Sequence, residues 1–168
     1  MASTSVSPER RGGARASRRL TRRRALVLLG ALVVAFGLIQ LVPYRVSNPP
    51  VGQEPPWDSP QTRELAVAAC FDCHSNQTRS YWYERIAPVS WWITSHVDNG
   101  RSALNFSEWG KTEHEGAEAA EVVLEGSMPP NYYYWLGLHD GAKLTKAQRR
   151  QLADGLRKTL GASRASGD

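Results

Sequence analysis

Residues 70–74 read Cys70-Phe71-Asp72-Cys73-His74. Two thiols three positions apart lie on one turn of chain, and an imidazole follows directly. That spacing lets each sulfur bond one vinyl arm of the same porphyrin while the next side chain lies under the iron. It is the C-x-x-C-H pattern of covalent haem c attachment. Both cysteines of the 168-residue chain belong to it. A C-x-x-C pair also serves as a thioredoxin-like redox centre, but that use goes with a βαβ context, and none is visible in the flanking sequence. It also forms half of a zinc site, but no second C-x-x-C or close His pair completes the four ligands.

Toward the N-terminus the composition changes sharply. Residues 1–24 hold eight arginines and one glutamate, a charge of +7; the rest holds 13 basic and 15 acidic residues, a charge of −2. The net charge of +5 therefore belongs to the arm alone. A basic arm can contact nucleic acid, but this one abuts Ala25 to Val42, ALVLLGALVVAFGLIQLV, eighteen residues without a charge. The expectation is a membrane role and no nucleic-acid partner. As a helix the run rises about 27 Å, close to the hydrocarbon thickness of a bilayer. It lacks the polar positions at helical spacing of a half-buried helix. Arg18, Arg19, Arg22, Arg23 and Arg24 precede it, so the positive-inside rule keeps the arm cytoplasmic and places everything after Val42 outside. A cleaved signal peptide would have a shorter apolar stretch and a small-x-small site. Leu41-Val42-Pro43-Tyr44-Arg45 offers no such site, so an uncleaved signal anchor is expected. The extracytoplasmic placement agrees with the cysteines, because haem c is joined to its protein on that side.

The remaining organisation follows from composition and punctuation. Residues 1–24 read as an arm disordered until it meets anionic lipid. Residues 43–58 carry five prolines and read as an extended linker. Residues 59–161 read as the haem c-binding domain, and 162–168 as a disordered tail. Within the domain only helices are expected. Ser59-Pro60 caps and opens one that runs into the cysteine segment. Pro88 opens a second, with Val89, Trp92, Ile93, His96 and Val97 on one face and Asn99-Gly100 as its stop. Thr112-x-x-Glu115 caps a third, ending at Gly126. Thr145-x-x-Gln148 caps a fourth, with Leu152, Leu156 and Leu160 inward and Gly161 as its stop. So small a domain has a limited core, and a buried macrocycle would complete it; the haem-free domain is expected to be poorly ordered.

His74 is the expected proximal iron ligand. A ligating imidazole donates its second ring N–H to an acceptor, for which the Pro88 carbonyl is a candidate. For the sixth position Met128 is the first choice. It is the one methionine besides Met1 and sits in the proline-stiffened Ser127-Met128-Pro129-Pro130. His96 and His139 are its rivals, and an open position is the remaining alternative. His139 is also placed to bond a haem propionate. Arg85 and Arg101 are further propionate candidates, as are the polar tips of the many Trp and Tyr side chains. His114, among Glu113 and Glu115, reads as a solvated surface residue. The glutamates from 113 to 125 read as a solvated helix face.

Several strings together resemble the haem-binding domain family of small, membrane-anchored, c-type-cytochrome-like proteins. They are Asn48-Pro49-Pro50-Val51, the stretch Cys70 to Asn76, Trp82-Tyr83, Ile86-Ala87-Pro88-Val89-Ser90-Trp91, Asn105-Phe106-Ser107-Glu108-Trp109, Met128-Pro129-Pro130, and His139 before Leu144. The chain departs from the family pattern at Asp140, where a proline is usual, and in its heavy Tyr132 to Trp135 run. The resemblance implies covalent haem at Cys70 and Cys73 with His74 on the iron, and by position it leaves Met128 as the partner ligand. The resulting expectation is an all-α, cytochrome-c-like haem domain preceded by one transmembrane helix. It would be an electron carrier with one covalent haem c and unidentified redox partner proteins, not an enzyme. The alternatives are a haem-based sensor or peroxidase-like enzyme with an open sixth site, and an assembly factor in which haem holds the fold.

Overall fold

The structure, a computed structural model, describes residues 10–110, 118–135 and 137–165. The chain forms two units, 1–43 and 44–168. The described residues are all-α, with no strand among them.

The first unit holds α1, Arg10–Ile39. The helix takes in most of the arginine-rich arm, which composition alone read as disordered. Arginine is a good helix former, and the apolar run gives the helix a long segment from which to propagate. At the other end it stops at Ile39, three residues short of Val42. Among the described residues no helix is long and apolar enough to cross a membrane. Arg22, Arg23 and Arg24 lie inside α1, so its uncharged part is residues 25–39. Backbone bonds of the tighter i→i−3 kind then continue from Gln40 to Val42.

The second unit is built around α2, Pro60–Ala69, and α7, Lys146–Ala165. Ser59 caps α2 as expected: its hydroxyl accepts from the Thr62 amide, and Pro60 fills the first position. The α7 cap also follows the sequence, with Thr145 Oγ1 accepting from Gln148 N–H while Gln148 Oε1 accepts from Thr145 N–H. Leu152, Ala153 and Leu156 of α7 are buried against Ala66, Ala69 and Phe71. α7 runs through Gly161 to Ala165, so that glycine does not stop it, and residues 162–165 of the expected tail are helical. At Gly155 α7 lies tight against α2: a Cβ there would lie 2.0 Å from Thr62 Oγ1 and 2.8 Å from its Cβ. Gly155→Ala gains helix propensity of about 1 kcal/mol but must push two backbones apart. We expect a net loss of about 2–3 kcal/mol, read as a melting temperature lower by roughly 10 °C or more; an unchanged melting temperature would mean the helices separate freely.

The remaining helices are α3, Phe71–His74; α4, Val89–Ala103; α5, Ala119–Glu125; and α6, Asn131–Tyr134, with 3-10 turns at Trp82–Arg85 and Asp140–Ala142. Gly126 ends α5 in the left-handed region (φ 85°) as the sequence suggested. The capping box at Thr112 and Glu115 lies outside the described residues. α4 passes through Asn99-Gly100 and ends at Ala103. Its buried positions are Ser90, Thr94 and Val97, whereas Val89 and Trp92, which the sequence reading put on one face with Val97, are exposed.

The Pro-rich segment is packed onto the domain. Asn48 exchanges hydrogen bonds with Thr78, Gly52 N–H bonds the Ser107 carbonyl, and Glu54 forms a two-pronged ion pair with Arg63. Trp57 lies against Phe106 (ring centroids 5.2 Å) and Phe71 (6.3 Å). Prolines keep this segment extended, and its intervening polar and aromatic residues hold it down.

Candidate functional site

The cysteine segment is built as two short pieces of helix. Cys70 ends α2, and its carbonyl accepts from both Cys73 N–H and His74 N–H, which closes the turn of α3. Ser75 Oγ bonds back to the Phe71 carbonyl, and the Asn76 amide bonds Ser107 Oγ. Arg101 reaches from α4 to the carbonyls of Ser75 and Ser47 and to Asn48 and Thr78. Those contacts occupy the guanidinium that the sequence reading offered to a propionate. Its role is to bind the end of the cysteine segment to the Pro-rich segment.

Cys70, Cys73, His74 and Met128 all line one cavity of ≈ 300 Å³. Its walls are largely aliphatic and aromatic, with Leu104, Phe106, Val123 and Leu156 among them. His96 also lines it, and His139 does not. Of the candidates for the sixth position, the fold thus brings Met128 and His96 to the same cavity as His74.

His74 is oriented by the chain itself. Its Nδ1 lies 3.0 Å from the Leu104 carbonyl. Donation there puts the ring's lone pair on Nε2, the arrangement of an imidazole prepared to ligate. The acceptor is Leu104 and not Pro88. Pro88 caps α4, and its carbonyl is taken by the Trp91 and Trp92 amides. His96 carries the same device, with Nδ1 2.8 Å from the Trp92 carbonyl.

The thiols argue against the two competing uses of C-x-x-C. Burial pushes the Cys70 thiol up to about 12, with the neighbouring Cys73 adding to it, and the Cys73 thiol up to about 11, with Asp72 and Glu84 adding. A redox-active pair needs the opposite, a stabilised thiolate. Among the described residues no cluster of three or more His, Cys, Asp or Glu side chains is arranged to hold a metal ion by itself.

Asp72, within the motif, has a structural task that the sequence reading missed. It is buried, accepts a forked pair of bonds from Arg79 and one from the Arg79 amide, and accepts another from Tyr133 Oη. Desolvation works to raise its pKa, but the bonds from Arg79 and Tyr133 outweigh it and hold the carboxyl below its ordinary range. Tyr133 stacks on His139 (centroids 4.0 Å), and His139 Nε2 bonds Tyr83 Oη at 2.9 Å. His139 is thus engaged away from the cavity, and desolvation lowers its pKa. The late loop is tied to the cysteine segment through this chain of contacts. A carboxylate whose folded pKa is depressed stabilises the fold above its unfolded pKa, near 4, and the contribution is lost as pH falls through the folded value. Asp72→Asn should therefore cost about 2 kcal/mol at pH 7 and flatten the loss of stability below pH ~4. Unfolding curves at pH 7 and pH 3 check this; parallel acid limbs for both proteins would count against it.

Residues 34–158 match the family described as haem-binding domain. The chain belongs to the haem-binding domain family. Neither a curated protein nor a solved structure shows significant similarity to it. The site fits the group that this family binds: an apolar cavity, two thiols and an imidazole with a fixed tautomer meet at one place. Gly100 adds to the fit. A Cβ there would stand 2.6 Å from the Cys73 carbonyl oxygen, so the missing side chain lets α4 close directly onto the motif of this haem-binding domain.

Proposed function

We propose that the domain carries one haem c, joined by thioether bonds to Cys70 and Cys73, with His74 Nε2 and Met128 Sδ on the iron, and that it passes single electrons on the extracytoplasmic face of a membrane. The observation that carries this reading is the meeting of both thiols, His74 and Met128 on one apolar cavity. Bound haem supplies a one-electron couple, and His/Met ligation raises its potential. The chain's own residues orient His74 through Leu104, line the cavity with largely apolar side chains, and present a thioether from a loop instead of a helix. No substrate-activating arrangement of residues is needed for such a role.

The test is a set of absorption spectra of the oxidised and reduced protein, with and without CO, for the wild type and Met128→Ala. We expect a six-coordinate, low-spin wild type with the weak red band of a Met–iron(III) bond. Met128→Ala should lose that band and bind CO at least about tenfold more tightly. Retention of the band in the variant would exclude Met128.

A second reading has its own observation. Met128 is 40 % exposed, and an exposed thioether is easily displaced. A vacated sixth position would make the protein a haem-based sensor or a peroxidase-like enzyme. A high-spin wild-type spectrum with rapid CO binding would favour it.

The membrane anchor is the remaining part of the proposal. Leu26, Val27, Leu28, Leu32, Val33 and Leu38 of α1 are all at least 60 % exposed, an apolar surface that water does not favour and lipid does. Hydrogen-bonded backbone extends through Val42, and Gln40, the one polar side chain of the run, donates to the Phe36 carbonyl. Both features meet the demand that polar groups in hydrocarbon be satisfied internally. The arginines before residue 25 support an extracytoplasmic second unit.

A further inference from the structure

The Met128 loop is held by a residue that no motif marks. Gly126 turns the chain out of α5, and the Met128 amide then bonds back to the Val122 carbonyl at 3.1 Å. Ser127 Oγ bonds the same carbonyl at 3.0 Å. From α7, Arg149 Nη1 donates to the Met128 carbonyl at 2.9 Å and to the Val123 carbonyl at 3.2 Å. The guanidinium lies beside Gly126: a Cβ at that glycine would be 3.6 Å from Nη1. One cation therefore bridges the two ends of the turn, Val123 before it and Met128 after it. Both peptide groups of Met128 are fixed, so only its side-chain torsions are left to set. Arg149 itself stands on the helix that supplies Leu156, two turns further on, to the cavity wall.

We propose that Arg149 is the positioning residue for the sixth iron ligand, pinning the Met128 backbone so that a weak thioether–iron bond survives on an exposed loop. The inference rests on Met128 as ligand. A methionine has three flexible torsions and a soft, weakly held sulfur. If its backbone is also free, ordering the loop opposes the bond to iron. Arg149 removes that cost in advance by charge-assisted bonds to two carbonyls, made on a rigid helix. His74 and the thioether links are untouched by the clamp.

The experiment uses the full haem-loaded chain and four variants: Arg149→Ala, Arg149→Lys, Arg150→Ala and Met128→Ala. The readouts are the Met–iron band, the reduction potential, the affinity of the oxidised protein for imidazole, and covalent haem content. Arg149→Ala should keep its covalent haem, lose most of the band, fall in potential and bind imidazole about tenfold more tightly, a difference of about 1.4 kcal/mol. Arg149→Lys, which restores one donor, should recover part of each change. Arg150→Ala, one position along on the exposed side, should match the wild type. If Arg149→Ala matches the wild type while Met128→Ala loses the band, the clamp is refuted and the ligand stands. If Arg150→Ala produces the same changes as Arg149→Ala, general charge is responsible and the proposal fails. If Met128→Ala keeps the band, both the ligand and the inference built on it are overturned.

Discussion

Serine at both Cys70 and Cys73 is expected to yield a polypeptide with no covalent haem and a domain that melts tens of degrees lower. The size of the effect follows from the cavity. A chain that never receives its cofactor must either keep ≈ 300 Å³ of largely apolar space or collapse it. At about 24 cal/mol per Å³, a dry void of that size would cost up to about 7 kcal/mol, comparable with the whole stability of a small domain, and the open side of this pocket, where water can enter, lowers that ceiling. Collapse would pull α3, α4, α5 and the Met128 loop together at the expense of their present packing. Any haem still bound through His74 should be extracted by acidified organic solvent, whereas the wild type should keep it. Solvent extraction followed by thermal unfolding reads both results. A double-serine variant that retains haem through extraction, or that melts with the wild type, would contradict the account.

The second large effect is expected at Gly100. Glycine in the middle of a helix costs about 1 kcal/mol relative to alanine, and α4 bears that cost one turn before its end. The structural return is contact. A methyl group at this position would lie 2.6 Å from the Cys73 carbonyl oxygen, 3.2 Å from its carbonyl carbon and 3.3 Å from its Cβ. Two of those three are backbone atoms, which cannot rotate out of the way. Gly100→Ala should therefore lower stability by about 2–3 kcal/mol net of the propensity gain. It should also move the Cys73 thiol and His74 away from the positions that attachment requires. The measurement is covalent haem per polypeptide, with the melting temperature of the loaded fraction. A fully loaded variant as stable as the wild type would show that α4 need not approach the motif so closely.

Gly100 also illustrates which parts of this molecule could be read from its sequence. As one of a pair with Asn99 it has the look of a helix stop, and locally nothing distinguishes a glycine that ends a helix from one that lets two backbones touch. Local signals that act on their own neighbours were legible: the Ser59-Pro60 start, the Thr145/Gln148 cap and the Gly126 turn are where the sequence put them. The cysteine segment and Met128 were legible because their residue types are rare in this chain. Partners thirty or more residues away were not. His74 finds its acceptor at Leu104, and Arg101 finds Ser47. The Pro-rich segment resembles a spacer in composition, yet Trp57 packs, half-buried, against Phe71 and Phe106. Asp72 gave no sign of its task, since its pairing with Arg79 and Tyr133 joins positions that share no periodic pattern.

The central claim is that both cysteines are bonded to one porphyrin. Intact mass of the full chain, produced in a host equipped to mature c-type cytochromes, tests it most directly. The account predicts a single species heavier than the polypeptide by one haem, with the added mass mapping to the peptide that contains Cys70 and Cys73. A stable, folded chain at the bare polypeptide mass would contradict it.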